Sequence, residues 1–333
     1  MQPQDFARAA AALTAGAAQV AVPGFPGGLG PGMAALARLA AGCDRVFLAR
    51  PPGAPGAVIC GASHAPAPGI RAHAAGIGPT PQAAFARAMG EVAEGRALYR
   101  QPDDPRLDVD GTVPLLDHRL APRGRIPARG LLRDGTGAVP GSGLGAGPDI
   151  GMAARSAWHE VVERDAIARW FAGDAPATPL PAPGPARAVE AALRRATPLR
   201  YLLLPSRVAG LVTVAALSDG DGGSVPGYGC APDPAEAACK AATEVVQGEF
   251  ALHLEWLAQA ESGVPPGPHG FTARAAMLAG RPDLIHPAPG AMPAPDAPAT
   301  PRHAVLTLPG DGVHVLRAMA TGFLHPTGMP GPV

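Results

Sequence analysis

Three pairs of polar residues recur at one-turn spacing along the chain: Glu91 with Glu94, Glu160 with Glu163, and Glu244 with Gln247. Residues three apart on a helix share a face, so each pair would present its oxygens side by side. Arg164 and Asp165 follow the second pair directly. Carboxylates gathered from separate helices make a concentrated negative site. Such a site calls for hard cations such as Mg2+, which in turn hold phosphates. Taken singly, each pair reads more simply as an exposed helix face with local arginine partners.

Gly and Pro punctuation marks out the elements that must carry these pairs. Long helices are expected over residues 82–99, 150–171 and 233–259, with shorter ones over 6–18, 33–41, 186–196 and 273–278. Strands are expected over 46–49, 57–60, 199–204, 211–217, 303–308 and 313–319. Helices and strands intermix along the whole length, which gives a mixed α/β or α+β class.

The 333 residues are 47% apolar, enough to bury the core of one large domain or two ordinary ones. With aromatics at only 4%, that core must be packed from Ala, Leu and Val. The 44 Gly and 42 Pro imply long connections, three of them Pro-rich, at 175–185, 265–268 and 287–301. Basic and acidic residues balance at 27 each, and Lys240 is the only lysine, so a nucleic-acid-coating role is excluded. No stretch reaches the roughly 18–20 apolar residues that cross a bilayer. The Ala-rich start opens with Gln2, Asp5 and Arg8 and reads as an amphipathic helix, not a signal peptide. Cys43, Cys60, Cys230 and Cys239 form no CxxC pair, and isolated thiols suit a reducing cytoplasm. No repeat of solenoid period appears. A dinucleotide site at Gly143-Leu-Gly-Ala-Gly147 fares poorly, lacking a clear preceding strand and a spaced acid.

The text around the acid pairs is more specific. Gly76-Ile-Gly-Pro-Thr-Pro-Gln-Ala leads into Ala88-Met-Gly-Glu-Val-Ala-Glu94. Gly141-Ser-Gly-Leu-Gly-Ala-Gly147 precedes Trp158-His-Glu-Val-Val-Glu-Arg-Asp-Ala166. A third block joins Gly210-Leu-Val-Thr-Val-Ala-Ala-Leu-Ser-Asp219, Gly227-Tyr-Gly-Cys-Ala-Pro-Asp-Pro and Thr243-Glu-Val-Val-Gln247; the fourth is Gly312-Val-His-Val-Leu-Arg317. In this order the four blocks resemble the signatures of the YcaO family, in which Gly-rich turns enter acid-bearing helices. The resemblance runs from about Gly76 to the C-terminus, with residues 1–75 a divergent part of the same domain.

The resemblance implies a YcaO-like fold with central sheets and long helices. It also implies an ATP site in which Glu91, Glu94, Glu160 and Glu163 hold Mg2+, while Arg164, Glu244, Gln247 and Arg317 contact or order the nucleotide. No catalytic residue is assigned. The implied chemistry is phosphorylation of a peptide amide oxygen followed by attack of a nucleophile. The products are an azoline (a cyclodehydratase), a thioamide or an amidine, as in RiPP biosynthesis. About 75 residues precede Gly76, short for a fused peptide-recruiting module, so a separate recruiting partner is implied beside the precursor peptide or protein substrate. A homodimer is an open alternative. The Pro330-Gly-Pro-Val333 end only partly matches the Pro-x-Pro-x-Pro tail of azoline-forming members.

The departures define a second reading. Arg87 replaces a family Ser, Gly95 a family Arg, and Pro148, Met152 and Arg155 stand where polar ligands are usual. These changes shift the formal charge by about +3, and a like charge some 4–6 Å from Mg2+ costs a few kcal/mol at an effective dielectric of about 20. At least one of Arg87 and Arg155 is expected to pair with one of the four acids, neutralising them without metal. In that case the chain is a degenerate, ATP-free scaffold that binds peptide or a partner. His159 reads as a packing residue, His325 as a neighbour of the arginine strand, and Cys230 as a small buried hydrophobe.

Overall fold

The computed structural model describes residues 19–21, 31–133, 139–174, 176–193, 198–220, 223–265, 271–287 and 299–323. The helix expected over 6–18, the end of the one over 186–196, His325 and the Pro330–Val333 tail lie outside them. The chain forms two compact units. The first comprises Met1–Arg50, Val58–Val161 and Thr300–Gly322, and the second Pro51–Ala57, Val162–Ala299 and Phe323–Val333.

In the first unit, β1 (Gln19–Ala21), β2 (Cys43–Ala49), β3 (Val58–Ala67) and β4 (Ile70–Gly78) form an antiparallel sheet in that order. A second antiparallel sheet contains β5 (Thr112–Leu116), β6 (Pro122–Pro127), β7 (Leu144–Gly147), β12 (Arg302–Val305) and β13 (His314–Met319), ordered β6-β5-β12-β13-β7. The helices are α1 (Pro31–Ala41), α2 (Pro81–Leu98) and the first half of α3 (Ile150–Ala172). Phe85, Met89 and Val92 of α2 are fully buried in one cluster with Leu48, Val58, Val113, Leu306 and Val315. Ala153 and Ala154 of α3 pack with Leu116 and Leu316.

In the second unit, β8 (Thr178–Leu180), β9 (Arg200–Leu204), β10 (Val212–Gly220) and β11 (Gly223–Ala231) form an antiparallel sheet ordered β11-β10-β9-β8. Its helices are the second half of α3, α4 (Gly184–Leu193), α5 (Pro234–Ser262), α6 (Phe271–Ala279) and α7 (Pro282–Ile285). Val214 and Ala216 of β10 pack under α5, while Ala215 and Leu217 face Trp170 and Leu278. Successive side chains of a strand point to opposite faces, so a strand covered on both faces is apolar throughout. β8 carries Pro179, which a strand tolerates at a sheet edge.

One device recurs three times. Gly76-Ile-Gly78, Gly145-Ala-Gly147 and Gly227-Tyr-Gly229 each lie in an edge strand that feeds a helix. Thr80 caps α2 and Asp233 caps α5, each followed by Pro, and Asp149 accepts the Met152 amide at the start of α3. A Cβ at Gly76 would lie 2.3 Å from the Ala84 carbonyl, one at Gly145 2.3 Å from the Ala157 amide, and one at Gly227 2.3 Å from the Ala241 carbonyl. The helix backbone therefore rests directly on the strand. What reads in the sequence as Gly-rich turn is in each case strand.

The loop after α2 is locked by a buried ion pair. Burial alone would raise the Asp104 carboxyl, but bonds from the Arg106 side chain (Nε at 2.7 Å) and from the Gln101 and Arg106 amides hold it below the usual range. Arg106 also donates to the carbonyls of Tyr99 (2.8 Å) and Leu306 (3.3 Å), tying this loop to the segment after β12. Asp104→Asn leaves the guanidinium uncompensated and is expected to cost about 3–5 kcal/mol, read by urea denaturation. Because the folded value is depressed, the wild-type contribution is present above the unfolded carboxylate value and is lost as pH falls through the folded one.

Candidate functional site

The candidate residues fall on both units. In the first, the Thr80 cap sets the phase of α2 so that Arg87, Glu91 and Glu94 share one face at i, i+4 and i+7. Glu94 is half-buried, and its carboxylate accepts the Ala146 amide of β7 at 2.7 Å. β7 is an edge strand, whose outward amides have no ladder partner, so Glu94 supplies one. Glu91 is exposed and Glu160, on α3, is half-buried. Burial, then the charges of Glu91 and Glu160, push the Glu94 carboxyl well above the usual carboxylate range, against the Ala146 bond. Arg317 on β13 is buried and donates to the carbonyls of Leu131 (2.8 Å) and Pro140 (2.7 Å). Burial lowers it to about 10, and the charge of Glu160 acts in the opposite direction.

The expected arginine pairing does not occur. Arg87 donates to the Ile77 carbonyl of β4 at 2.7 Å, satisfying an edge-strand acceptor, and Arg155 lies exposed on α3. Among the described residues neither forms an ion pair with Glu91, Glu94 or Glu160. Met152 is half-exposed on the first turn of α3.

In the second unit, Glu163 and Arg164 are half-buried on α3, and the neighbouring Asp165 is buried against Arg169 at 3.1 Å. Glu244 on α5 repeats the Glu94 device: it accepts the Tyr228 amide of edge strand β11 at 2.6 Å. Gln247 follows one turn later, half-buried. Burial, with the charge of Glu163 added, pushes the Cys230 thiol up to about 12, so it stays protonated as a packed side chain. His159 is half-buried on α3. The structure thus brings Glu91, Glu94, Glu160 and Arg317 into one electrostatic neighbourhood and seats Glu244 on β11.

Sequence reasoning found these acids but missed the Ala146 and Tyr228 amides that orient two of them. The only signal available was the Gly-x-Gly around each amide.

Among the described residues no group of three or more His, Cys, Asp or Glu is placed to hold a metal ion. Glu91 and Glu94 on α2 and Glu160 on α3 are the carboxylates that interact there, the Glu94 carboxyl pushed up by burial first and then by the other two charges. Glu94→Gln keeps an acceptor for Ala146 and removes the repulsion, so it should raise the thermal midpoint of the ligand-free protein by a few degrees. The folded value of Glu94 is raised, so wild-type stability should fall as pH climbs from the unfolded carboxylate value through the folded one. The variant should lack that slope, and scanning calorimetry across pH checks both.

The YcaO family model, described as YcaO cyclodehydratase, ATP- and Mg2+-binding, matches residues 127–316, more than half of the chain. A comparison with curated proteins finds no match. Among solved structures, the fold is similar to YcaO from Methanopyrus kandleri bound with AMPPCP and Mg2+, at 21% identity and TM-score 0.65 over 85% of this chain and 86% of that one. It is also similar to a chain of the E. coli microcin synthetase McbBCD complex, at 14% identity and TM-score 0.56 over 83% and 87%. A heterocyclase in complex with substrate and cofactor matches at 15% identity and TM-score 0.59, over 83% of this chain and 49% of that one. These likenesses establish the fold. The chain belongs to the YcaO family of ATP- and Mg2+-binding cyclodehydratases.

Proposed function

We propose that this chain activates a backbone amide of a ribosomally made peptide by directing phosphoryl transfer from ATP to the amide oxygen. Phosphorylation turns that oxygen into a leaving group. A nucleophile then adds to the amide carbon, and phosphate departs to leave an azoline, thioamide or amidine. Glu91, Glu94, Glu160 and Glu163 are read as the carboxylates that take up Mg2+, and Arg164, Glu244 and Gln247 as the groups that order the nucleotide. Bound Mg2+ would supply the charge that offsets the transferring phosphoryl. Arg317 is read with the nucleotide-ordering groups, its guanidinium held by the carbonyls of Leu131 and Pro140.

The observation that supports this reading most is the match of the ATP- and Mg2+-binding YcaO family model over residues 127–316; burial, then the charges of Glu91 and Glu160, push the Glu94 carboxyl up beside it. The degenerate, ATP-free scaffold was suggested by Arg87, Met152 and Arg155; Arg87 donates to a backbone carbonyl and Arg155 is exposed, so neither is seen as the neutralising partner that reading expected. Residues 1–75 are read as a divergent part of the family domain, since they supply β1 to β3 of a sheet that β4 completes. The McbBCD neighbour is a complex, which supports a separate recruiting partner here; a homodimer is a further reading. The four cysteines are free, which fits a reducing cytoplasm. No described helix is long and apolar enough to cross a membrane.

The test is mass spectrometry of a precursor peptide incubated with the chain, its recruiting partner, Mg2+ and ATP. Loss of one water per site marks an azoline, and exchange of amide oxygen for sulfur marks a thioamide. An unchanged peptide from a protein that binds ATP would contradict the reading.

A further inference from the structure

His64 is a buried group that the activity described above does not use. It lies on β3, in phase with Cys60 and Ala62, on the face that α2 covers. Only 2% of it is exposed, and among the described residues neither ring nitrogen has a hydrogen-bond partner. The ring edge meets helix backbone: a Cβ at Gly95 would lie 3.0 Å from Nε2 and 3.1 Å from Cε1. Buried side-chain nitrogens are normally bonded, because leaving one unpaired costs stability. An apolar side chain of similar size would fill this place without that cost. What histidine adds is a proton that comes and goes near neutral pH.

The groups around the ring disfavour the charged form. Arg96 of α2, paired with Asp311 at 3.3 Å, and His73 of β4 both oppose a positive charge there. Asp44 of β2 acts the other way, but it is exposed and lies 3.8 Å from Arg71. Cys43, opposite His64 on β2, turns its thiol to the Leu39 carbonyl of α1. Burial first, then the Arg96 charge, hold the imidazole below the ordinary histidine value.

We propose that His64 is a proton-operated latch: neutral, it lets the last two turns of α2 lie on β3, and protonated, it releases them. An imidazolium carries two N–H donors. At this place it would find no acceptor, with a guanidinium beside it. β3 is held between β2 and β4, so the helix is the element that gives way. Glu94, next to Gly95, would leave the Ala146 amide as it does so. Because the folded value is lowered, the contribution of His64 is full above the ordinary histidine value and is lost as pH falls through the folded one. That direction is opposite to the one expected for Glu94. The latch stands apart from the nucleotide reading.

Hydrogen exchange read by mass spectrometry on the full chain, at about pH 7.5 and about pH 5.5 with intrinsic rates corrected, tests it. Peptides spanning Val92–Leu98 should lose about tenfold or more of their protection at the lower pH in the wild type. His64→Leu should keep that protection at both pH values and be at least as stable as the wild type near neutral pH. Carboxylates such as Glu94 titrate in both proteins, so the difference isolates the imidazole. If His64→Leu fails to fold, the ring-proton resonances of His64 in the wild type give a second measurement, and they should titrate below the ordinary histidine value. Equal loss of protection in the two proteins, or no loss in the wild type, overturns the proposal. So does a His64→Leu protein that folds but is markedly less stable near neutral pH, or a His64 resonance that titrates at or above the ordinary value.

Discussion

Glu160→Gln is expected to lower ATP-dependent turnover by about 10²–10³-fold, the scale on which removing one aligned electrostatic group from a transition state is felt. The amide has nearly the shape of the carboxylate, so the fold should persist. What changes is charge. Glu160 is one of the two acids that raise the buried Glu94 carboxyl, and it is the acid that acts on buried Arg317. Its loss removes a candidate ligand and leaves Arg317 facing a neutral group. Phosphate release in the presence of ATP, Mg2+ and the cognate peptide reads the rate, and circular dichroism reads the fold. Wild-type turnover in this variant would remove Glu160 from the metal-binding set.

The largest effect on stability is expected at Gly145. A Cβ there would sit 2.3 Å from the Ala157 amide and 2.4 Å from the Ala153 carbonyl, both backbone atoms of α3. No side-chain rotation relieves such a contact, so α3 must move off β7. Gly145→Ala should therefore cost roughly 3 kcal/mol or more, at the upper end of overpacking effects. Gly184→Ala is the control, because nothing lies within 4 Å of a Cβ at that position. It should change stability by no more than about 0.5 kcal/mol. Urea denaturation of both variants makes the comparison.

The same contacts explain which parts of the fold could be read in advance. α2, α3 and α5 were legible because they are long, apolar on one face and bounded by caps and Pro: the expected 82–99, 150–171 and 233–259 are observed as Pro81–Leu98, Ile150–Ala172 and Pro234–Ser262. β9, β10 and β13 were legible as short apolar runs. β7 and the ends of β4 and β11 were not, because their Gly residues are there to admit a helix backbone, and a strand stripped of side chains looks like a turn. β6 was hidden for the opposite reason. Nearly every residue in it is exposed, Arg123 and Arg125 among them, so no alternation of apolar and polar residues marks it.

The candidate site divides in the same way. Helical spacing marked Glu91, Glu94, Glu160 and Glu244 as paired polar residues, and only the blocks around them suggested a nucleotide site. What the sequence did not show is their main-chain partners: Arg87 donates to the Ile77 carbonyl, Arg317 to the carbonyls of Leu131 and Pro140, while Glu94 accepts from the Ala146 amide and Glu244 from the Tyr228 amide. Buried backbone groups of edge strands and loops must be satisfied, and nearby charged side chains, three of them on helices and Arg317 on β13, meet that demand. A sequence does not spell out which backbone groups those are.

Calorimetric titration of ATP into the full chain, with and without Mg2+, tests the central claim most directly. The account predicts saturable binding that requires Mg2+ and is lost in Glu160→Gln. Linkage should then stabilise the wild-type fold by about 2.7 kcal/mol at a hundredfold excess over Kd. Absence of heat and of stabilisation with Mg2+ and ATP, or binding undiminished in Glu160→Gln, would contradict it.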